Sequence, residues 1–169
     1  STDNPEFDKA EKGVRDKLEK LMQVTGKQTV TSFHKRLGKI MWDYCGIERN
    51  ADGLKKAREL VNELKHEFWN DVKVPDVKKG VNQELEKALR IADFFDLAQL
   101  LIEDALNRNE SCGAHFREEY QTESGEALRD DTNYMYVAAW EYQGDNQAPK
   151  LHKEQLNYEF TEVKIRSYK

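Results

Sequence analysis

The sequence predicts a mainly α fold: an antiparallel helical bundle of three to four helices, spectrin-repeat-like, followed by an extended tail with a small β-hairpin. Three observations predict it. Apolar residues recur at steps of three and four from Phe7 to Ala105, the spacing of one buried helix stripe. Boundary residues stand where those stripes begin and end: Asn4-Pro5, Gly46, Val74-Pro75 and Asn82. After residue 109 the texture changes to aromatic and β-branched residues with turn signals. The expected division is therefore a bundle over 1–109 and a tail over 110–169 that packs on it.

In the first helix, Asn4 or Asp3 caps, Pro5 occupies the first turn and Glu6 suits the positive N-terminus. Phe7, Ala10, Val14, Leu18 and Leu21 fall on one face, and Gly26 offers a stop. Gly13 costs this helix about 1 kcal/mol relative to Ala, which predicts that another backbone approaches there. A second helix begins near Thr29, with Val30, Phe33, Leu37, Ile40, Met41 and Tyr44 on one face, and ends at Cys45-Gly46. The third carries Leu54, Ala57, Val61, Leu64 and Phe68 and stops before Val74-Pro75, because a residue preceding proline avoids the helical region. Asn82 caps a fourth, whose centre from Ile91 to Ile102 is apolar on more than one face, so it is expected to lie centrally. In the tail, Tyr134 to Tyr142 reads as a strand, Gly144-Asp145-Asn146 as a turn, and Leu151 to Phe160 as its looser partner. A lone hairpin is marginal in water, so this one must lean on the bundle or on another domain.

Composition excludes several classes. The chain has 169 residues, 35% of them charged, and a net charge of −5 with mixed signs. No basic stripe supplies the phosphate-binding contribution that nucleic acid requires. No apolar run approaches the ~18 residues of a membrane span, and no signal-peptide pattern is present. Cys45 and Cys112 read as reduced thiols of a cytosolic protein. The chain opens Ser1-Thr2-Asp3 without Met, as expected of a processed protein or a piece of a longer one.

Chemistry-bearing residues concentrate between Asn109 and Tyr120, in a connector where polar filler would suffice. Ser111, Cys112, Gly113, His115 and Arg117 are the candidate docking residues. Cys112-x-x-His115 has the spacing of half a zinc site, but no second pair completes four ligands, so no metal is expected. A thiol nucleophile with His115 as base would need an orienting third group, and small-residue packing beside Gly113 is the simpler reading. His115 and Arg117, two apart, share a face if extended. Arg117 either pairs with Glu118 and Glu119 or binds a carboxylate bidentately if it faces a cleft. Glu118-Glu119 and Asp130-Asp131 read as solvated loops, and Trp42, Trp69, Phe94 and Phe95 as core. There is no Gly-x-Gly-x-x-Gly, Walker loop or Gly-x-Ser-x-Gly. The residues alone describe a helical domain with a docking segment, not an independent enzyme.

From Gln28 to Lys169 the chain resembles the C-terminal helical region of the flavoprotein subunit of succinate dehydrogenase and fumarate reductase. The carrying motifs are Thr31 to Trp42, Asn82 to Ala88 and Ser111 to Glu119, then Arg129-Asp130-Asp131, Ala138-Ala139-Trp140, Leu151 to Glu154 and the closing Arg166 to Lys169. One position departs: many relatives read Ser-Arg-Gly where this chain has Ser111-Cys112-Gly113, so no role of that arginine is carried over, and Arg117 does not occupy its place. The resemblance implies a parent oxidoreductase that interconverts succinate and fumarate through a covalently held FAD, with electrons leaving to an iron–sulfur subunit. The flavin-linking, proton-moving and substrate-holding residues would lie in FAD-binding and capping domains before Ser1. The fragment is thus expected to have no catalytic residue and no cofactor of its own, FAD belonging to the parent. Its implied partners are its own FAD-binding domain, the iron–sulfur subunit and, indirectly, a membrane cytochrome b subunit, with no nucleic acid. The parent would sit peripherally on the cytoplasmic face of the inner membrane. The alternatives are an independent helical interaction module and the C-terminal domain of L-aspartate oxidase. The long tail with Trp140 and the Arg166–Lys169 ending speaks against the latter.

Overall fold

The structure, a computed structural model, describes residues 3–77, 80–144, 147–165 and 167. Its helices are α1 (Pro5–Gln23), α2 (Val30–Tyr44), α3 (Ala51–Asp71), α4 (Gln83–Asn107) and the single-turn α5 (Asp131–Tyr134). Its strands are β1 (Gln28–Thr29), β2 (Glu48–Arg49), β3 (Val72–Lys73), β4 (Phe116–Arg117), β5 (Tyr136–Glu141) and β6 (Lys150–Gln155). The fold is mainly α, a helical bundle with a small hairpin in its tail. The chain forms two compact units, 1–41 with 59–98 and 42–58 with 99–169, whose boundaries fall inside α2, α3 and α4.

The first unit is the bundle. Asn4 caps α1 by accepting from the Glu6 N–H at 3.0 Å, with Pro5 at the first position and Glu6 and Asp8 in the first turn. Rings from three helices meet in the core: Phe33 of α2 stands edge-on to Phe68 of α3 at 5.3 Å, and Phe68 lies 5.5 Å from Phe95 of α4. Leu21, Val30, Leu37, Val61, Leu64, Ile91 and Ala92 fill in around them, all buried. Asn82 caps α4 as expected, its side chain accepting from the Leu85 N–H at 3.0 Å. Ion pairs between helices, Arg36–Glu67 at 2.5 Å and Lys65–Asp96 at 2.5 Å, lie on the solvated rim and add little.

Four expectations are corrected here. Gly13 does not mark a close approach: a Cβ added there meets nothing within 4 Å. The close approach is at Gly26, where a Cβ would lie 2.0 Å from the backbone carbonyl carbon of Asp71 as β1 pairs in parallel with β3 beyond it. Gly13→Ala is therefore expected to stabilise by about 0.5–1 kcal/mol through helix propensity. Gly26→Ala is expected to cost about 2 kcal/mol by overpacking against backbone that cannot turn aside. Urea denaturation of the two variants checks both signs. Only the C-terminal end of the α1 stripe is buried: Leu21 is covered, whereas Phe7 and Val14 are exposed. Trp42 is not core but 84% exposed, and Phe94 is 40% exposed. The second apolar face of α4 is likewise uncovered among the described residues, with Leu97 and Leu101 about half exposed.

In the second unit Asn50 caps α3, its side chain accepting from the Gly53 N–H at 2.8 Å and its carbonyl from the Leu54 N–H at 2.9 Å. Asp130 is the N-cap of α5, accepting from the Asn133 N–H at 3.1 Å, and Asp131 pairs with Arg129 at 2.6 Å. That acidic pair is thus an element boundary where a plain solvated loop was expected. Strands β5 and β6 are antiparallel from Tyr136↔Gln155 to Glu141↔Lys150. The hairpin leans on α4, as a marginal two-stranded element must. Trp140 Nε1 donates to Asp104 at 2.8 Å, and buried Tyr136 lies between Arg108 and Lys153. Of the expected turn, Gly144 has φ +112°, while Asp145 and Asn146 lie outside the described residues, as do Ser1, Thr2, Arg166, Tyr168 and Lys169.

Candidate docking surface

The 110–120 connector is a clasp built in the second unit. It starts with an unsatisfied helix end: the last carbonyls of α4 have no partner within the helix. Arg117, 2% exposed, turns inward to supply one, its Nη1 donating to the Ala105 carbonyl at 2.8 Å and to the Arg108 carbonyl at 3.4 Å. A cation at a helix C-terminus also suits the helix dipole. Its other edge donates to Glu119, Nε to Oε2 at 3.1 Å. Glu119 in turn accepts from the Ala51 N–H at 2.5 Å, which opens α3. Burial works against ionisation of Glu119, but the hydrogen bonds from Arg117 and Ala51 hold its carboxyl below the usual range. One Arg–Glu pair therefore ties the end of α4 to the start of α3.

The rest of the connector fixes this pair. Ser111 is fully buried; its Oγ accepts from the Arg117 N–H at 2.8 Å and donates to the Arg117 carbonyl at 3.2 Å. Strand β4 runs parallel to β2, with the Phe116 N–H on the Ile47 carbonyl and the Glu118 N–H on the Arg49 carbonyl. Cys112 and His115 exchange backbone hydrogen bonds at 2.8 and 3.1 Å across a tight turn, for which Gly113 takes φ +60°. This turn, Cys112-Gly113-Ala114, is the exposed tip. The Arg108 carbonyl accepts from His115 Nε2 at 2.9 Å, which places the proton of the neutral ring on that nitrogen.

The structure thus separates the five candidates. Ser111 and Arg117 spend their polar atoms inside the chain, His115 is half-buried, and Cys112 and Gly113 face solvent. Arg117 faces α4 and not a cleft, so its guanidinium is engaged with carbonyls and Glu119. Cys112 and His115 are joined through their backbones, and the ring turns to Arg108, away from the geometry of a thiol–base pair. Among the described residues no group of three or more His, Cys, Asp or Glu is placed to hold a metal ion. Burial pushes the Cys45 thiol up.

Sequence reasoning missed several members of the clasp. Glu110 is buried, accepting from the Asp130 N–H at 2.9 Å and lying 3.4 Å from Arg108. Arg49 donates to the Ala114 carbonyl at 3.2 Å, and Asn50 to Glu118 at 2.6 Å. The N-cap signal of Asn50 before an apolar stripe was available; nothing local signals the others. Exposed Ile47, whose carbonyl holds Phe116, adds an apolar residue beside the clasp. Elsewhere, in the bundle, a shallow pocket of about 100 Å³ lies between α2 and α4, lined by Val30, His34, Arg90, Ile91 and Phe94 among others.

Fold and site together define a helical domain whose tail is locked back on its own helix ends, presenting an exposed turn. The family described as "Fumarate reductase flavoprotein C-term" matches residues 34–168, and the chain belongs to it. It is 30% identical over 165 residues to the fumarate reductase flavoprotein subunit of Haemophilus influenzae, covering 98% of this chain and 25% of that protein. It is 36% identical over 111 residues to an uncharacterized FAD-dependent oxidoreductase of Methanocaldococcus jannaschii, covering 66% of this chain and 20% of the relative. Its fold is similar to that of the Escherichia coli quinol fumarate reductase chain, with TM-score 0.77, 22% identity, 92% of this chain and 26% of the other covered. The chain therefore spans about a quarter or less of the length of these relatives. It corresponds to the C-terminal domain of the flavoprotein subunit.

Proposed function

We propose that this chain is the scaffold and subunit-docking domain of a flavoprotein whose whole length interconverts succinate and fumarate. The observation that carries the reading is the coverage: similarity runs through 98% of this chain but 25% of the Haemophilus influenzae fumarate reductase flavoprotein subunit. By this reading FAD, which would accept or donate the hydride, is a cofactor of the whole flavoprotein. It belongs with the FAD-binding domain of the parent. The uncovered apolar residues of α4, Phe94 and Leu97, suit burial by that domain, because contiguous exposed apolar surface marks an interface. The Cys112–Ala114 turn is the docking tip, held rigid by Ser111, His115 and Arg117 behind it. It faces the iron–sulfur subunit, and the membrane cytochrome b subunit is reached only through that assembly. Among the described residues no helix is long and apolar enough to cross a membrane; in the proposed assembly the parent sits peripherally at the cytoplasmic face.

The test is direct. The purified chain should show no visible flavin absorbance and no succinate-dependent reduction of an artificial dye. A yellow preparation with that activity would overturn the reading.

A further inference from the structure

We propose that His115 makes the clasp acid-labile, so that protonation of its ring loosens residues 111–117 from the end of α4 and frees the Cys112–Ala114 turn. The geometry concentrates positive charge on this ring. Its Nε2 lies 2.9 Å from the Arg108 carbonyl, which Arg117 Nη1 also approaches at 3.4 Å. Arg49 of β2 donates to the carbonyl of Ala114, the residue before His115, at 3.2 Å, while Arg108 and Arg117 both take part in the carbonyl contact itself. Two carboxylates answer them: Glu110 lies 3.4 Å from Arg108, and Glu119 lies 3.1 Å from Arg117. Glu118 is hydrogen-bonded to Asn50, and Arg129 is engaged with Asp131 and the Lys164 carbonyl. Arg49 hydrogen-bonds a backbone carbonyl, that of Ala114, and its buried Nε makes no hydrogen bond. Tyr136 lies against Arg108 and Tyr120 against Arg117, Cys112 is bonded through its backbone to His115, and burial pushes the Cys45 thiol up.

A fourth cation in this half-buried place is opposed by desolvation and by the three guanidiniums. Burial foremost holds the ring below the ordinary histidine value; the hydrogen bond to the Arg108 carbonyl works the other way without overcoming it. The closed clasp thus binds fewer protons than the opened one. Its stability is complete above the ordinary value of 6.5 and is lost as the pH falls below it. Glu119, held below its own usual range, stays ionised in that window, so the Arg117 pair does not titrate first.

Amide hydrogen exchange at Cys112, His115 and Arg117, corrected for intrinsic rates, tests this between about pH 7.5 and 5.5. The N–H groups of these residues are bonded to the His115 carbonyl, the Cys112 carbonyl and Ser111 Oγ. Protection should fall by up to about tenfold, the linkage expected one pH unit below the unfolded value. In His115→Gln, which keeps a donor for the Arg108 carbonyl without titrating, protection should be the same at both pH values. Protection independent of pH in the unmodified chain, or the same fall in His115→Gln, overturns the proposal. If His115→Gln does not fold, the NMR titration of the His115 ring decides: a midpoint below 6.5 supports acid release, and one at or above it refutes it.

Discussion

Phe68→Ala is expected to lower the stability of the chain by about 4 kcal/mol, the range for emptying a fully buried phenylalanine site. Phe68 is 0% exposed and touches three rings: Phe33 at 5.3 Å, Trp69 at 5.3 Å and Phe95 at 5.5 Å. Truncation loses the transfer free energy of the ring and the edge-to-face contacts, and it leaves a void between helices whose backbones are held apart by the neighbouring aromatics. Urea denaturation measures the loss. A cost below about 1 kcal/mol would mean that the three helices do not converge on this ring.

Arg117→Ala is expected to cost about 3 kcal/mol, the lower end for breaking a buried ion pair. It leaves the Ala105 carbonyl without its donor and Glu119 without its cation. The estimate sits at the lower end because the Glu119 side chain keeps 38% of its exposure and can be rehydrated. Arg117→Lys should recover less than half, since one ammonium cannot reach the carbonyl and the carboxylate as a planar fork does. Cys112→Ser, at an exposed position of the turn, should change stability by less than about 0.5 kcal/mol. Denaturation of the three variants checks the order. Equal effects at Cys112 and Arg117 would contradict the division of the clasp into buried frame and exposed tip.

The helices were legible because their signals are local. A cap such as Asn4 or Asn82 acts within three residues, and a stripe such as Leu54, Ala57, Val61, Leu64 and Phe68 needs only its own helix to be read. The hairpin was legible from the aromatic run at Tyr134 to Tyr142 for the same reason. What escaped is non-local. The pairing of Glu48-Arg49 with Phe116-Arg117 joins two-residue strands far apart in sequence, too short for any periodicity to show. Gly13 and Gly26 look alike in sequence, and only the position of Asp71 distinguishes them. Spacing alone assigns Trp42 to the core, yet the residue is 84% exposed.

Within the candidate segment, the sequence does not show which residues are buried and which are exposed. Arg117 amid two glutamates could equally be a surface ion pair or a substrate cation. Its inward turn is decided by the unsatisfied carbonyls of Ala105 and Arg108, which no motif announces. Ser111, read in the sequence as a docking residue, is instead buried and closes two hydrogen bonds on Arg117.

The proposed role makes this chain one part of a much longer flavoprotein. An antibody raised against the purified chain, used on native extract of the source cells with in-gel flavin fluorescence, measures this directly. The expected result is a polypeptide about four times as long as this chain, in keeping with its coverage of the relatives, with flavin fluorescence on the same band. A reactive polypeptide of this chain's own length, with no fluorescent longer one, would contradict it.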